Sequence, residues 1–122
     1  MSINTYTNAK VKLRGTQTLY TAPSAGTSIV KSIRVTNTDE TTDRTVSIFV
    51  TDISNVNYYV ELNRTIQSKR SQEILASGNL DQNSADSSVS SPTPLILKSS
   101  EVLKATTTGS DIELIASILE MT

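Results

Sequence analysis

Residues 111–121 read D-I-E-L-I-A-S-I-L-E-M, and their alternation is typical of a β-strand. Apolar side chains occupy every second position, at Ile112, Leu114, Ala116 and Ile118. These side chains share one face of a strand, which we expect to lie against a core. The opposite face carries Ile115 and Leu119, and a solvated face rarely holds two large aliphatic side chains so close together. We therefore predict that both faces are covered, by another sheet of the same domain or by a partner.

The same two-residue period runs through most of the chain, whereas helical periodicity is weak. Segments with this period lie at residues 10–14, 17–22, 29–37, 45–51, 58–66, 72–77, 95–97 and 101–107. In residues 29–37 the alternation slips between Val30 and Ile33, which predicts a β-bulge near Lys31 and Ser32. We predict an all-β fold, a single antiparallel β-sandwich or jelly-roll-like domain of roughly seven to nine short strands.

Two segments lie outside this pattern. Residues 1–9 precede the first predicted strand, and we expect them to form an extended N-terminal arm, with the sandwich domain at residues 10–122. Residues 78–92 are polar and low in complexity, which predicts a long loop insertion. Loops beyond about 12 to 15 residues are uncommon in compact domains and are usually functional or disordered. This loop is either a mobile surface insertion or a segment that orders against a neighbouring subunit.

The composition excludes most catalytic chemistry. The chain has no cysteine and no histidine, so thiolate and imidazole nucleophiles, bases and metal ligands are missing. No serine lies in a G-x-S-x-G context, and four glycines do not supply a phosphate-binding loop. Oxygen donors cluster twice, at Asp81, Asn83 and Asp86 and at Asp39, Glu40 and Asp43, but the first set lacks the spacing of a calcium loop. We expect solvated turns at both places and predict a non-enzymatic protein without cofactor or metal.

The near-neutral net charge predicts no electrostatic attraction of the whole chain to nucleic acid or to an anionic membrane. The chain has 11 basic and 12 acidic residues, and no apolar run approaches the roughly 18 residues that span a bilayer. The N-terminus lacks the features of a signal peptide, so we expect synthesis in a cytoplasm without export. Lys10, Lys12 and Arg14 line one side of the first predicted strand. They either contact an acidic partner or phosphates, or protect an edge strand from unwanted pairing, and the second interpretation is favoured.

Two blocks carry a resemblance. Residues 18–37 read T-L-Y-T-A-P-S-A-G-T-S-I-V-K-S-I-R-V-T-N, and residues 94–105 read P-L-I-L-K-S-S-E-V-L-K-A before G-S-D-I-E-L at 109–114. They resemble small structural proteins of tailed-bacteriophage virions, in which T-A-P-A-G-T leads into an apolar strand closed by Asn. The second block is similar to that family's closing P-L-x-L-x-x-G-D-x-L-x-A and G-D-V-x-V strands. Ser100 and Glu101 replace the usual Gly-Asp turn.

The resemblance implies a β-sandwich subunit of a phage particle. Its expected function is that of a capsid decoration or cement subunit, located in the virion after assembly in the host cytoplasm, which binds the major capsid protein or other virion proteins and itself as a homo-oligomer. The alternative is a neck or tail subunit in a connector, tail or fibre attachment. A further alternative is a carbohydrate- or receptor-binding module, with Tyr58 and Tyr59 as stacking residues. The predicted interface residues are Ile115, Leu119, Tyr6, Lys10, Lys12, Arg14, Leu80 and Val89.

Overall fold

The computed structural model describes residues 4–75 and 94–121, and in these residues the regular structure consists of nine β-strands without a helix. The all-β prediction is confirmed. The strands are β1 Asn4–Leu13, β2 Thr16–Thr21, β3 Thr27–Asn37, β4 Arg44–Thr51, β5 Asn57–Ile66, β6 Ser71–Glu73, β7 Leu95–Leu97, β8 Val102–Thr107 and β9 Ile112–Met121.

The strands form two antiparallel sheets that pack as a sandwich. The five-stranded sheet has the order β1-β9-β3-β6, and β7 also pairs with β3. The four-stranded sheet has the order β2-β8-β4-β5. With β7 set aside, four strands lie in each sheet and the chain passes repeatedly between the sheets. This order is that of a double Greek-key jelly roll, which is one of the two architectures predicted from the sequence.

The core between the sheets is almost entirely aliphatic. Strand β9 lies in the middle of the five-stranded sheet and turns its predicted inner face to this core, where all four side chains are buried. Burial of each large aliphatic side chain stabilises the fold by about 1.5–3 kcal/mol. The fully buried side chains that meet it from both sheets include Leu13, Val30, Ile33, Val35, Val46, Ile48, Ile66, Leu97 and Leu103.

The predicted bulge in β3 is confirmed. The pairing of β3 with β9 shifts register between Val30 and Ser32, which leaves Lys31 as the extra residue. Val30 and Ile33 are both buried although they are three positions apart, an odd separation that regular alternation would place on opposite faces. The bulge therefore lets one long strand keep its apolar side chains in the core on both sides of Lys31.

Strand β1 begins earlier than the side-chain pattern predicts. Residues 4–9, predicted as part of an arm, pair with β9 in an unbroken register that runs from Asn4 opposite Met121 to Leu13 opposite Ile112. The reason is that a long central strand offers backbone donors and acceptors along its whole length, whatever side chains its neighbour carries. Residues 1–3 lie outside the described part of the chain.

Strand β5 departs from simple alternation. Phe49 pairs with Tyr59, but Ile48 pairs with Glu61 and Val46 with Arg64, so β5 contains extra residues at two places. Val60 packs against the core, whereas Leu62 is 61% exposed. Regular alternation would place Val60 and Leu62 on one face, and they are separated here because bulges change which face the following residues occupy.

Candidate interaction surface

The register of β1 with β9 brings together five of the residues predicted for an interface. Tyr6 lies opposite Leu119, Lys10 opposite Ile115, and Lys12 opposite Glu113. Because the residues between them on β9 point into the core, these side chains lie on the outer face of the five-stranded sheet, the side away from the four-stranded sheet.

An apolar row crosses four strands of this outer face. Ile29 of β3 lies opposite Leu119, and Ile96 of β7 lies opposite Ile29. The row is therefore Tyr6, Leu119, Ile29 and Ile96, on β1, β9, β3 and β7. Tyr6 is 74% exposed and Ile96 is 60% exposed, while the two central side chains are half-buried. Within the described residues the row forms an apolar strip that is most exposed at its two ends.

Two of these four residues, Tyr6 and Leu119, were predicted from the sequence as interface residues. Ile29 and Ile96 were not predicted, because a period of two shows which residues of one strand share a face but not which strands are neighbours. The position of Ile29 beside Leu119 follows only from the pairing of β3 with β9.

A second row on the same face carries two cations, and beyond Arg34 it ends at Glu73 of β6. Lys10 lies opposite Ile115, which lies opposite Arg34, and Ile115 is 40% exposed between the two cations. We call Lys10, Ile115 and Arg34 the basic row. In the adjacent row the Lys12 Nζ is 4.0 Å from a Glu113 carboxylate oxygen. A depression lies between these rows and is lined by Lys10, Val11, Lys12, Thr36, Glu113, Leu114 and Ile115.

The remaining predicted interface residues are not brought onto these rows. Arg14 follows β1 at the turn into β2, where its backbone N–H donates to Gln17 Oε1 at 2.7 Å. Leu80, Val89 and the predicted loop at residues 78–92 lie outside the described residues. Strand β1 is an edge strand, as the protective interpretation of its cations requires.

A partly buried polar cluster lies beneath the centre of the apolar row. The Tyr20 hydroxyl of β2 donates to Glu120 and makes a hydrogen bond of 2.9 Å with the Ser28 hydroxyl. Burial, followed by the hydrogen bond to Glu120, raises the pKa of Tyr20 from 10.0 to about 12. Ser28 and Glu120 are the sequence neighbours of Ile29 and Leu119, so this cluster ties the centre of the row to the opposite sheet.

The acidic turn after β3 is structural. The Asp39 carboxylate accepts hydrogen bonds from the Thr41 and Thr42 backbone N–H groups, and Arg44 Nη2 lies 2.8 Å from its Oδ2 atom. The Thr41 N–H first, then Arg44 and the Thr42 N–H, lower the pKa of Asp39 from 3.8 to about 2. Arg44 also reaches Asp111 at 3.4 Å. Among the described residues no three His, Cys, Asp or Glu side chains are grouped so that they could hold a metal ion.

Two adjacent tyrosines on β5 were the predicted stacking residues for a sugar. The rings of Tyr59 and Phe49 are 5.3 Å apart between centroids and inclined by 44°. Tyr58 pairs instead with Val50, and adjacent residues of a strand point to opposite faces. The two tyrosines therefore do not form a common platform.

In residues 4–75 and 94–121 no helix is long and apolar enough to cross a membrane. No family model matches the sequence. No curated protein matches it either.

The comparison with solved structures finds one fold similarity above a TM-score of 0.5 among the following three. A chain in the structure of infectious bursal disease virus strain Gx is similar with a TM-score of 0.54 at 9% identity, over 99% of this chain and 33% of that chain. The chain thus spans about a third of the length of that relative. A chain in the acidic stable capsid structure of Helicobacter pylori bacteriophage KHP30 gives a TM-score of 0.47 at 15% identity, over 100% and 94% of the two chains. A pentameric capsid protein from metagenomic phage sequences gives 0.40 at 16% identity, over 98% and 61%. At 9% identity the likeness to the bursal disease virus chain is one of fold.

Proposed function

We propose that this protein is a structural subunit of a bacteriophage particle, a decoration or cement subunit that binds the major capsid protein and further copies of itself. The observation that carries the proposal is the apolar row across β1, β9, β3 and β7. An exposed apolar strip of this kind is typical of a protein–protein contact, because the removal of apolar surface from water lowers the free energy when a partner covers it.

The architecture supports the same class of function. Double-sheet jelly rolls recur in viral capsid proteins, in lectins and in cupins. The cupin option needs metal-binding side chains, and the chain lacks the histidines that most often serve. The lectin option needs an aromatic platform, which Tyr58 and Tyr59 do not form together. The capsid option needs only outward surfaces for neighbours, and the outer face of the five-stranded sheet offers one.

The mechanism is stabilisation of a shell through buried surface. A standard specific interface buries on the order of 1,600 Å², and many copies on one particle multiply a modest affinity. Each apolar side chain of the row that becomes fully covered contributes up to about 1.5–3 kcal/mol. The subunit needs no catalytic group for this function.

The test is the incorporation of variants into particles that assemble in its absence. Leu119→Asp places a carboxylate in the middle of the row, where a covered interface cannot hydrate it, so we expect a folded protein that no longer binds particles. Leu62→Asp is the matched control, because Leu62 is exposed on β5 of the other sheet. We expect that control to bind like the original chain.

Ile96→Asp is a second variant in the row, and because Ile96 is 60% exposed on the short strand β7, we expect the fold to tolerate an aspartate there. If both row variants are folded and bind particles normally, the row is not the interface. Native mass spectrometry of the particles distinguishes a decoration subunit from a neck or tail subunit, because a single ring has a small fixed copy number and a capsid lattice has a large one.

A further inference from the structure

The charges on the outer face of the five-stranded sheet are unbalanced. Strands β1, β9 and β3 contribute five rows of outward positions, and these hold three cations and one carboxylate. The cations are Lys10, Lys12 and Arg34, and the carboxylate is Glu113. The chain as a whole has a formal net charge of −1, so this face differs in sign from the average of the molecule.

Extended to Glu73 of β6, these rows still hold three cations against two carboxylates among the described residues. Lys12 is 89% exposed and only approaches Glu113 at 4.0 Å, and such exposed pairs contribute little. Neither Lys10 nor Arg34 makes an ion pair within the described part of the chain. Glu73 of β6 lies opposite Arg34, and its Oε2 atom accepts hydrogen bonds from the Ile33 and Leu75 backbone N–H groups.

An apolar side chain lies between the cations. Ile115 stands in the centre of the basic row and is partly exposed beside the depression that Lys10 and Lys12 border. An apolar centre within a charged rim is the usual anatomy of a protein–protein contact. Nucleic-acid sites instead combine cations with exposed aromatic rings, and the basic row has no aromatic residue while Glu113 would face the phosphates.

We infer that the basic row is the docking site for a carboxylate-bearing surface of a neighbouring virion protein, with Ile115 as its apolar contact. The inference rests on the proposed function and names the chemistry of the partner. The acidic partner supplies charge complementarity at Lys10 and Arg34, which accelerates association and fixes orientation. The neighbouring apolar row supplies contact area, so the two rows have separable effects on binding.

The experiment measures cosedimentation of the folded chain with particles assembled without it, from about 0.1 M to about 1 M salt, a range over which the Debye length falls from about 10 Å to about 3 Å. We expect the affinity of the original chain to fall with salt. The double variant Lys10→Glu, Arg34→Glu should bind about tenfold more weakly or worse at the lower salt and lose most of the salt dependence.

The matched control is Lys69→Glu, Arg70→Glu, which changes the net charge equally at the exposed turn between β5 and β6. We expect this control to bind like the original chain. The neutral pair Lys10→Gln, Arg34→Gln should give an intermediate affinity, and it provides the test if the charge-reversed protein is not folded.

The outcomes separate the two proposals. If the original chain does not bind particles, the proposed function fails. If it binds, and reversal at the basic row weakens it no more than reversal at the control turn, the acidic partner is refuted while the proposed function stands. A duplex DNA oligonucleotide is the third probe. Tight DNA binding that disappears in Lys10→Glu, Arg34→Glu would assign the row to nucleic acid instead.

Discussion

Replacement of Asn37 by alanine should remove a large part of the stability of this fold. Asn37 is fully buried at the end of β3, and its side-chain Nδ2 donates to the Thr42 carbonyl at 3.0 Å and to the Ile66 carbonyl at 2.9 Å. Its Oδ1 accepts from the Asp39 backbone N–H at 2.9 Å. The one side chain therefore joins the turn after β3 to the end of β5.

The expected magnitude follows from these three hydrogen bonds. At a net contribution of about 1 kcal/mol each, their loss lowers the free energy of unfolding by about 3 kcal/mol. Domains of this size have total stabilities of about 5–15 kcal/mol, so the effect is easily measured. Urea unfolding should show a lower midpoint with an unchanged slope, because the surface exposed on unfolding is nearly the same.

The matched control is Asn8→Ala, since Asn8 is exposed on the outer face of β1. A solvated asparagine of this kind should change stability by less than about 0.5 kcal/mol. If Asn37→Ala lowers the free energy of unfolding no more than this control does, water replaces the lost hydrogen bonds and Asn37 does not stabilise the turn.

Two further predictions concern the pH dependence of stability. The folded-state pKa of Tyr20 is raised from 10.0 to about 12. The protonated hydroxyl therefore contributes fully to the free energy of unfolding below pH 10, and this contribution is lost as the pH rises toward 12. Tyr20→Phe should cost about 1 kcal/mol at neutral pH and flatten the alkaline decline, and an equally steep decline in the variant would contradict this. The folded-state pKa of Asp39 is lowered from 3.8 to about 2. The ionised carboxylate therefore stabilises the fold above about pH 4, and this stabilisation is lost as the pH falls toward 2. Asp39→Asn should be less stable at neutral pH and less sensitive to acid, measured by thermal unfolding across that range; an unchanged acid sensitivity would rule out Asp39 as its source.

Much of the fold could be predicted from local pattern. The inner face of β9 and the bulge after Val30 both follow from side-chain alternation, since burial of one face strongly constrains which residues may occupy it. The start of β1 and the bulges of β5 could not be predicted in this way. The start of β1 depends on pairing with the backbone of β9, and the bulges of β5 depend on extra residues in its pairing with β4.

The candidate surface was predictable to a similar extent. Ile115 and Leu119 stood out because they break the polarity of an outward strand face. Ile29, Ile96 and Arg34 could be assigned to this surface only from the residues that they pair with on neighbouring strands. Strand order depends on contacts between distant parts of the chain, which no local period encodes.

The pairing of β1 with β9 also sets the time at which this surface can exist during synthesis. Strand β1 has β9 as its sheet neighbour, and Tyr6 stands beside Leu119 only through that pairing. During synthesis, β1 therefore cannot pair with β9 until almost all of the described chain has been made. A nascent or truncated chain without β9 has neither the apolar row nor the basic row. If the surface binds a partner as proposed, only chains that already contain β9 would be able to dock through it.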